Sequence, residues 1–403
     1  MGFLESKFQK LGAENAPGQE ARQSNAVEYK GEKIPGTPVD FSHGDVDAFE
    51  PIPGSLENFI EGVKLGGEQA YTEYRGSKAL REDLALKLSK FTGTKVNAED
   101  NLIVTPGTQG ALFLAMGSSV ARGDKVAIVI PDYFANRKLA EFFDGEIVPV
   151  KMDYLSTSSE AGLDLSQLED AFKSGVKLFL FSNPNNPTGV IYSPSEINKI
   201  AELAARYGVK VIVDQLYSRQ LFEGNTYTHL AGQQVLGPEN LITIIGPSKT
   251  ESLSGYRLGV AFGAPKIIER MERLQAIVSL RAAGYSQAVM KSWFNEPEGW
   301  MTERIAQHQA IRDDLLERLR NDGGFEVRTA EAGSYLFPRI PDLTIPIEEL
   351  VKIIRVQTDV IVTSGTEFGP QFTDSFRINF SQDHAAAVDA IDRVIKIVKD
   401  YRK

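Results

Sequence analysis

Cysteine is missing altogether from the 403 residues, and histidine occurs only four times. The first absence excludes disulfides, thiolate metal ligands and a cysteine nucleophile, while leaving the redox compartment open. The second extends it: His43, His229, His308 and His384 lie far apart, so no His-x-x-x-His zinc spacing exists and no metal is expected. Long apolar runs are lacking too, and nothing approaches the ~18 residues of a membrane span. Basic residues are in deficit, 44 against 54 acids for a net charge of −10, which argues against nucleic acid or an anionic membrane as partner. The first residues carry Glu5 and no apolar signal segment, so the expected location is cytoplasmic. Met1-Gly2-Phe3-Leu4-Glu5-Ser6 fits the loose myristoylation pattern M-G-x-x-x-[ST], a match short enough to be coincidence.

What is present is an ordinary soluble composition, 42% hydrophobic and 24% charged, in a chain long enough for a large core. The first fifty or so residues are polar, are broken by Pro35, Pro38, Pro51 and Pro53, and read as an extended arm. From about Leu102 to Gly263, short β-branched runs alternate with amphipathic stretches: Leu102–Val104, Val126–Ile130, Glu146–Val150, Leu178–Phe181, Val209–Val213, Leu241–Ile245 and Gly259–Phe262. That alternation predicts a doubly wound sheet. Ser77 is placed to cap a helix that Gly93 stops; Ser193-Pro194-Ser195-Glu196 is a capping box whose helix Gly208 closes. Past Ala264 helical patterns dominate, with strands expected at Gly333–Phe337 and Val360–Val362 and a last helix over about Asp383–Tyr401. The expected fold class is α/β: a large domain, 52–296, with a mostly parallel seven-stranded sheet flanked by helices, and a smaller α+β domain made of the N-terminal arm, 1–51, and the C-terminal segment, 297–403.

In an open α/β sheet ligands sit beyond the carboxyl ends of the strands, so the residues after each run matter most. Thr105-Pro106-Gly107-Thr108-Gln109-Gly110 is a glycine turn opening a helix at Ala111, suited to an anion. Tyr133, Asn186 in an Asn/Pro cluster, Asp214 with Tyr217, and Ser248-Lys249 with Arg257 follow the other strands. Singly these read as a turn, core filling, a helix cap, a surface lysine and an ion-pair partner. Their concurrence at one sheet edge is what pyridoxal phosphate requires: an amine, a carboxylate for the ring nitrogen, donors to the phenolate oxygen, an anion site and a ring to stack on. The amine must react unprotonated, against a resting pKa near 10.4.

Over about Val39 to Tyr401 the sequence resembles the class I/II aminotransferases of the aspartate aminotransferase fold, known as fold type I. Ser248-Lys249 with Gly255, Arg257 and Gly259 matches S-K-x5-G-x-R-x-G; Asn186-Pro187-Thr188-Gly189 matches N-P-T-G; Asp214 with Tyr217 matches D-x-x-Y; Tyr71 with Gly76 matches Y-x4-G. The resemblance implies that Lys249 is the Schiff-base lysine and proton-transfer base, with Asp214 on the pyridine nitrogen. It implies Asn186 and Tyr217 on the phenolate oxygen and Tyr133 stacked on the ring. Gly107, Thr108, Gln109, Ser248 and Arg257 take the phosphate, as does Tyr71 from the other subunit of a homodimer. Arg377 holds the substrate α-carboxylate in a fork that lysine could not supply, and Gly44 lies on the segment that closes over substrate, beside His43. Amino acids and 2-oxo acids are the implied substrates, in a ping-pong exchange. Leu280–Ser286 resembles the stretch that supplies an arginine for a distal carboxylate, although its arginine-to-serine spacing is one residue longer, so Arg281 reads either as recognising aspartate and glutamate or as an interface ion pair.

Two departures stand out: Gly246, three before the lysine, where a hydroxyl residue is common, and Gln215, after the ring aspartate, where an acid is common. A nucleotide P-loop would need glycine where Ser248 and Thr243 stand, and a PLP-binding regulator would need a basic DNA-binding segment in front. The serious rival is another PLP reaction on this scaffold: C–S or other elimination, decarboxylation or amino-acid oxidation.

Overall fold

The structure is a computed structural model that describes residues 2–11, 31–156, 160–322 and 324–403. Seven strands form its main sheet: β1 (Leu102–Pro106), β2 (Lys125–Ile130), β3 (Glu146–Lys151), β4 (Leu178–Ser182), β5 (Lys210–Asp214), β6 (Leu241–Ile245) and β7 (Leu258–Gly263), in the order β1-β7-β6-β5-β4-β2-β3. Side chains alternate between its two faces. Ala127, Val129, Phe179, Phe181, Val211 and Val213 pack under helices Leu165–Lys173 and Pro194–Tyr207. Val126, Ile128, Leu178, Leu180 and Ile212 pack under Gly107–Ser119, Phe134–Phe142 and Pro265–Val278. With both faces covered, these strands are continuous apolar runs, as the sequence shows.

All pairings are parallel except those of β7, which runs antiparallel to β1 and β6. A parallel return from β6 would need a crossover helix; instead the chain turns back through Gly246–Arg257 along the carboxyl edge. The reversal puts the start of β7, not its end, at that edge. Leu258 pairs with Pro106 and Gly259 with Thr105, so register alone brings Arg257 opposite Gly107.

A second core is built from the helices Trp300–Asn321, Ile347–Thr358 and His384–Lys399 with Val39, Phe41 and Phe49. Its strands are short: Val39–Asp40 pairs in parallel with Val360–Ile361, and Phe376–Asn379 lies between Thr363–Ser364 and Tyr335–Leu336. The extended reading of the first fifty residues needs correction. Residues 12–30 of that arm lie outside the described residues, and Phe3–Gln9 is a helix, with Phe8 against Phe142 and Lys7 over the same ring at 4.5 Å. No proline precedes Pro17, and Glu5 stands in the first turn, where the helix dipole favours an acid. The helix expected from Ala111 begins at Gly107, so the predicted turn is largely its first turn. Among the described residues no helix is long and apolar enough to cross a membrane.

The capping box forms as its spacing predicts. Ser193 accepts from the Glu196 N–H, and Glu196 returns the bond to the Ser193 N–H at 2.8 Å. Glu196 does more, because its carboxylate also accepts from the backbone N–H groups of Ala161, Gly162 and Leu163 at 3.0–3.1 Å while only 1% exposed. Deleting it strands several buried donors. Glu196→Ala is expected to lower unfolding stability in urea by ~3 kcal/mol, while the exposed Ser195→Ala changes it by less than about 0.5 kcal/mol.

Candidate active site

The carboxyl ends of the parallel strands and the start of β7 surround a cavity of about 270 Å³. Ten of the residues singled out in the sequence line it: Thr108, Gln109, Tyr133, Asn186, Asp214, Tyr217, Ser248, Lys249, Arg257 and Arg377. Distances between their elements along the chain are large, and the edge of the sheet is what brings them together.

One end of the cavity is an anion cradle. The helix from Gly107 has no side-chain cap, so its first N–H groups have no such partner. Arg257, exposed and held by its bond to the Ser254 carbonyl at 3.0 Å, stands against them: a Cβ on Gly107, whose φ is +75°, would meet its Nη2 at 2.8 Å. Gly259 is as constrained, since a Cβ there would lie 2.4 Å from the Thr108 nitrogen. The departure at Gly246 has a packing reason, because a Cβ there would meet the Thr108 methyl at 2.8 Å and the Leu258 carbonyl at 3.2 Å. Tyr133 closes this end, its hydroxyl donating to Gln109 Oε1 at 3.0 Å.

Across the cavity floor stands Asp214, whose Oδ1 accepts from the Leu216 N–H at 3.0 Å. Burial pushes its carboxyl up to about 6, opposed by that single bond. A carboxylate in that state favours a cationic partner. Gln215 is absent from the lining; its Oε1 faces Tyr227 and His229 at 3.3 and 3.4 Å.

The substrate side is built on Arg377. Its Nη1 donates to Asn186 Oδ1 at 3.0 Å and its Nη2 to the Ser42 carbonyl at 2.8 Å, while its buried Nε has no protein partner. The Tyr335 and Phe368 rings lie 4.4 and 4.9 Å from the guanidinium carbon. Tyr335 was not anticipated from sequence. Its hydroxyl is 2.6 Å from that of Tyr217. Burial would raise the Tyr335 phenol, but Arg377, Lys249 and the bond it shares with Tyr217 outweigh it and lower it; Tyr217 is raised by burial first and then by Tyr335. No local motif marks Tyr335, whose place depends on the pairing of Asn379 with it across distant segments.

Asp132 was missed as well. It is 3% exposed, and burial raises its carboxyl, opposed by the donors of Ser182 and Tyr133.

Five residues expected at the site are absent from this lining: Gly107, which abuts Arg257, and His43, Gly44, Tyr71 and Arg281. Gly44 and His43 line an adjoining cavity of about 170 Å³ that shares Ser248, Lys249 and Ser254. His43 lies 3.2 Å from Asp40, and that bond, opposed by burial, raises the imidazole. Tyr71 is 80% exposed, and Arg281 lies beside it, 5.5 Å from its ring, with Nη1 donating to the Thr72 carbonyl at 2.6 Å.

The anion cradle, the lone carboxylate and the lysine together fit pyridoxal phosphate, the cofactor of the proteins this chain resembles. The family described as aminotransferase class I and II matches residues 38–394. The crystal structure of an aspartate aminotransferase from Rhodobacter sphaeroides 2.4.1 is 61% identical, with a TM-score of 0.94, covering 99% of this chain and 100% of that one. An aspartate aminotransferase of Sulfurisphaera tokodaii is 30% identical over 73% of each chain, and one of Pyrococcus horikoshii is 26% identical over 87% of this chain and 89% of its own. With a family match across nearly its whole length, the chain belongs to the class I and II aminotransferases and is a pyridoxal phosphate-dependent transaminase.

Proposed function

We propose that this transaminase exchanges amino groups between acidic L-amino acids and their 2-oxo acids, as a cytoplasmic homodimer, with the residue roles set out below. The observation that carries the reading is the single cavity in which Lys249, Asp214, Arg257 and Arg377 meet. Pyridoxal phosphate, when bound, supplies the carbonyl that condenses with an amino group and a ring that withdraws electrons. Gly107, Thr108, Gln109, Ser248 and Arg257 bind the phosphate, and Tyr133 covers the ring. Asp214 pairs with the ring nitrogen; Asn186 and Tyr217 donate to the phenolate oxygen. Arg377 grips the α-carboxylate, aided by its free Nε, and the Ser42–Gly44 segment closes over it. Held so, the substrate presents its α-carbon to Lys249, whose Nζ takes up and returns the proton in each of the two half-reactions.

The acidic side chain and the dimer share their support. Tyr71 and Arg281 lie together on a surface where Leu56, Ile60, Val63, Ile277, Val278 and Leu280 are 44–82% exposed, an apolar extent that suits an interface. A second copy seated there would receive Tyr71 and Arg281 at its own site. Likeness to an aspartate aminotransferase at 61% identity agrees with an acidic substrate. The two cores support a division near 52 and 296, with Phe3–Gln9 going to the large unit on which it packs.

Lys249→Ala is expected to abolish turnover and the visible absorbance of the bound cofactor; retention of both would refute the assignment. Arg281→Leu should lower kcat/KM for glutamate ~100-fold, the cost of a lost bidentate ion pair, and for an apolar amino acid by less than about threefold. Equal losses on both substrates would take Arg281 out of recognition. Asp214 also has a signature in the apoprotein. Its folded pKa is raised, so the folded state binds the proton more tightly than the unfolded one, and stability from this group falls as pH rises from about 4 to about 6. Asp214→Asn should therefore be more stable to unfolding than the parent apoprotein above pH 6, by ~3 kcal/mol, with the difference closing below pH 4, while binding pyridoxal phosphate more weakly.

A further inference from the structure

We propose that Asp132 is a positioning residue of this site: through Ser182 it fixes Asn186, and through the adjacent backbone it fixes Tyr133. The inference rests on the proposed role of Asn186 at the phenolate oxygen.

Three donors converge on this one buried carboxylate. The Tyr133 N–H reaches Oδ1 at 2.6 Å, the Ser182 N–H reaches Oδ2 at 2.9 Å, and the Ser182 hydroxyl donates to Oδ1. A hydroxyl has one proton. Having given it to Asp132, Ser182 Oγ can only accept at its remaining bonds, and it accepts from the Asn186 N–H at 3.1 Å. Asn186 in turn receives Arg377 at Oδ1, which leaves its amide N–H groups as the donors it can offer the cavity. A chain of polarised bonds thus runs from Asp132 to the residue that touches both cofactor and α-carboxylate anchor. An amide at 132 has a single acceptor oxygen, and with that oxygen at the Oδ1 position its N–H groups face the Ser182 N–H, so Asp132→Asn sets donor against donor at Ser182 without changing the side chain's size.

The test measures cofactor affinity and the pH midpoint of the bound cofactor's visible absorbance, neither of which requires turnover. Asp132→Asn and Ser182→Ala are each expected to weaken pyridoxal phosphate binding to the apoprotein about tenfold, the scale of one charge-assisted bond. Each should also raise the absorbance midpoint, because donors that favour the phenolate hold it low. The double variant should be no worse than the more affected single one. Singles that lower the thermal midpoint of the apoprotein but leave affinity and absorbance unmoved would overturn the proposal, as would additive losses. Asn186→Ala separates the two levels. If its absorbance midpoint is unmoved, the role of Asn186 is wrong and the inference falls with it; if it moves while that of Ser182→Ala does not, only the chain through Ser182 is wrong. Should Asp132→Asn not fold, Ser182→Ala decides by the same criteria.

Discussion

Strand β7 approaches the Gly107–Thr108 peptide so closely that no Cβ fits between them, and much of the site depends on that contact. Because β7 is antiparallel, the residue before it stands at the same edge as the ends of the parallel strands. Arg257 is thereby delivered to the uncapped start of the helix from Gly107, where dipole and guanidinium act on one anion. The connection that makes the reversal possible also carries Lys249. Anchoring and reaction therefore share one short loop, and a shift of that loop would move both.

Charge inside the cavity bears little relation to the net charge of −10. Its lining carries Lys249, Arg257 and Arg377 against one carboxylate, Asp214. Low-dielectric walls strengthen such placed charges, and the lowering of the Tyr335 phenol by Arg377 and Lys249 is one visible effect. Two carboxylates buried elsewhere are held largely by backbone donors. Glu196 and Asp132 each gather several N–H or O–H donors, the first to hold a helix start against a neighbouring loop, the second to hold the cavity wall.

Much of this was legible in the chain. The seven apolar runs mark the seven strands to within two residues at each end, since burial on both faces leaves few polar breaks in all but the edge strand Glu146–Lys151. Capping at Ser77 and Ser193 could be read because caps are local hydrogen bonds between near neighbours. Ligand-facing residues fell at strand ends, where the sheet topology requires them. The short helix Phe3–Gln9 was hidden by the proline-rich stretch that follows, and the helix start at Gly107 by a glycine that looked like a turn.

By itself the sequence determined the fold class, the strand ends and the identity of the reactive groups, because periodicity, caps and motifs are short-range properties of covalent order. The tertiary structure alone decided which distant groups share a hydrogen bond. Tyr335 meets Tyr217, Asp132 takes Ser182, and Tyr71 meets Arg281 outside the lining of the cavity. Such contacts join residues separated by 50 to 210 positions, and only the closing of the sheet and the packing of the second core bring them together.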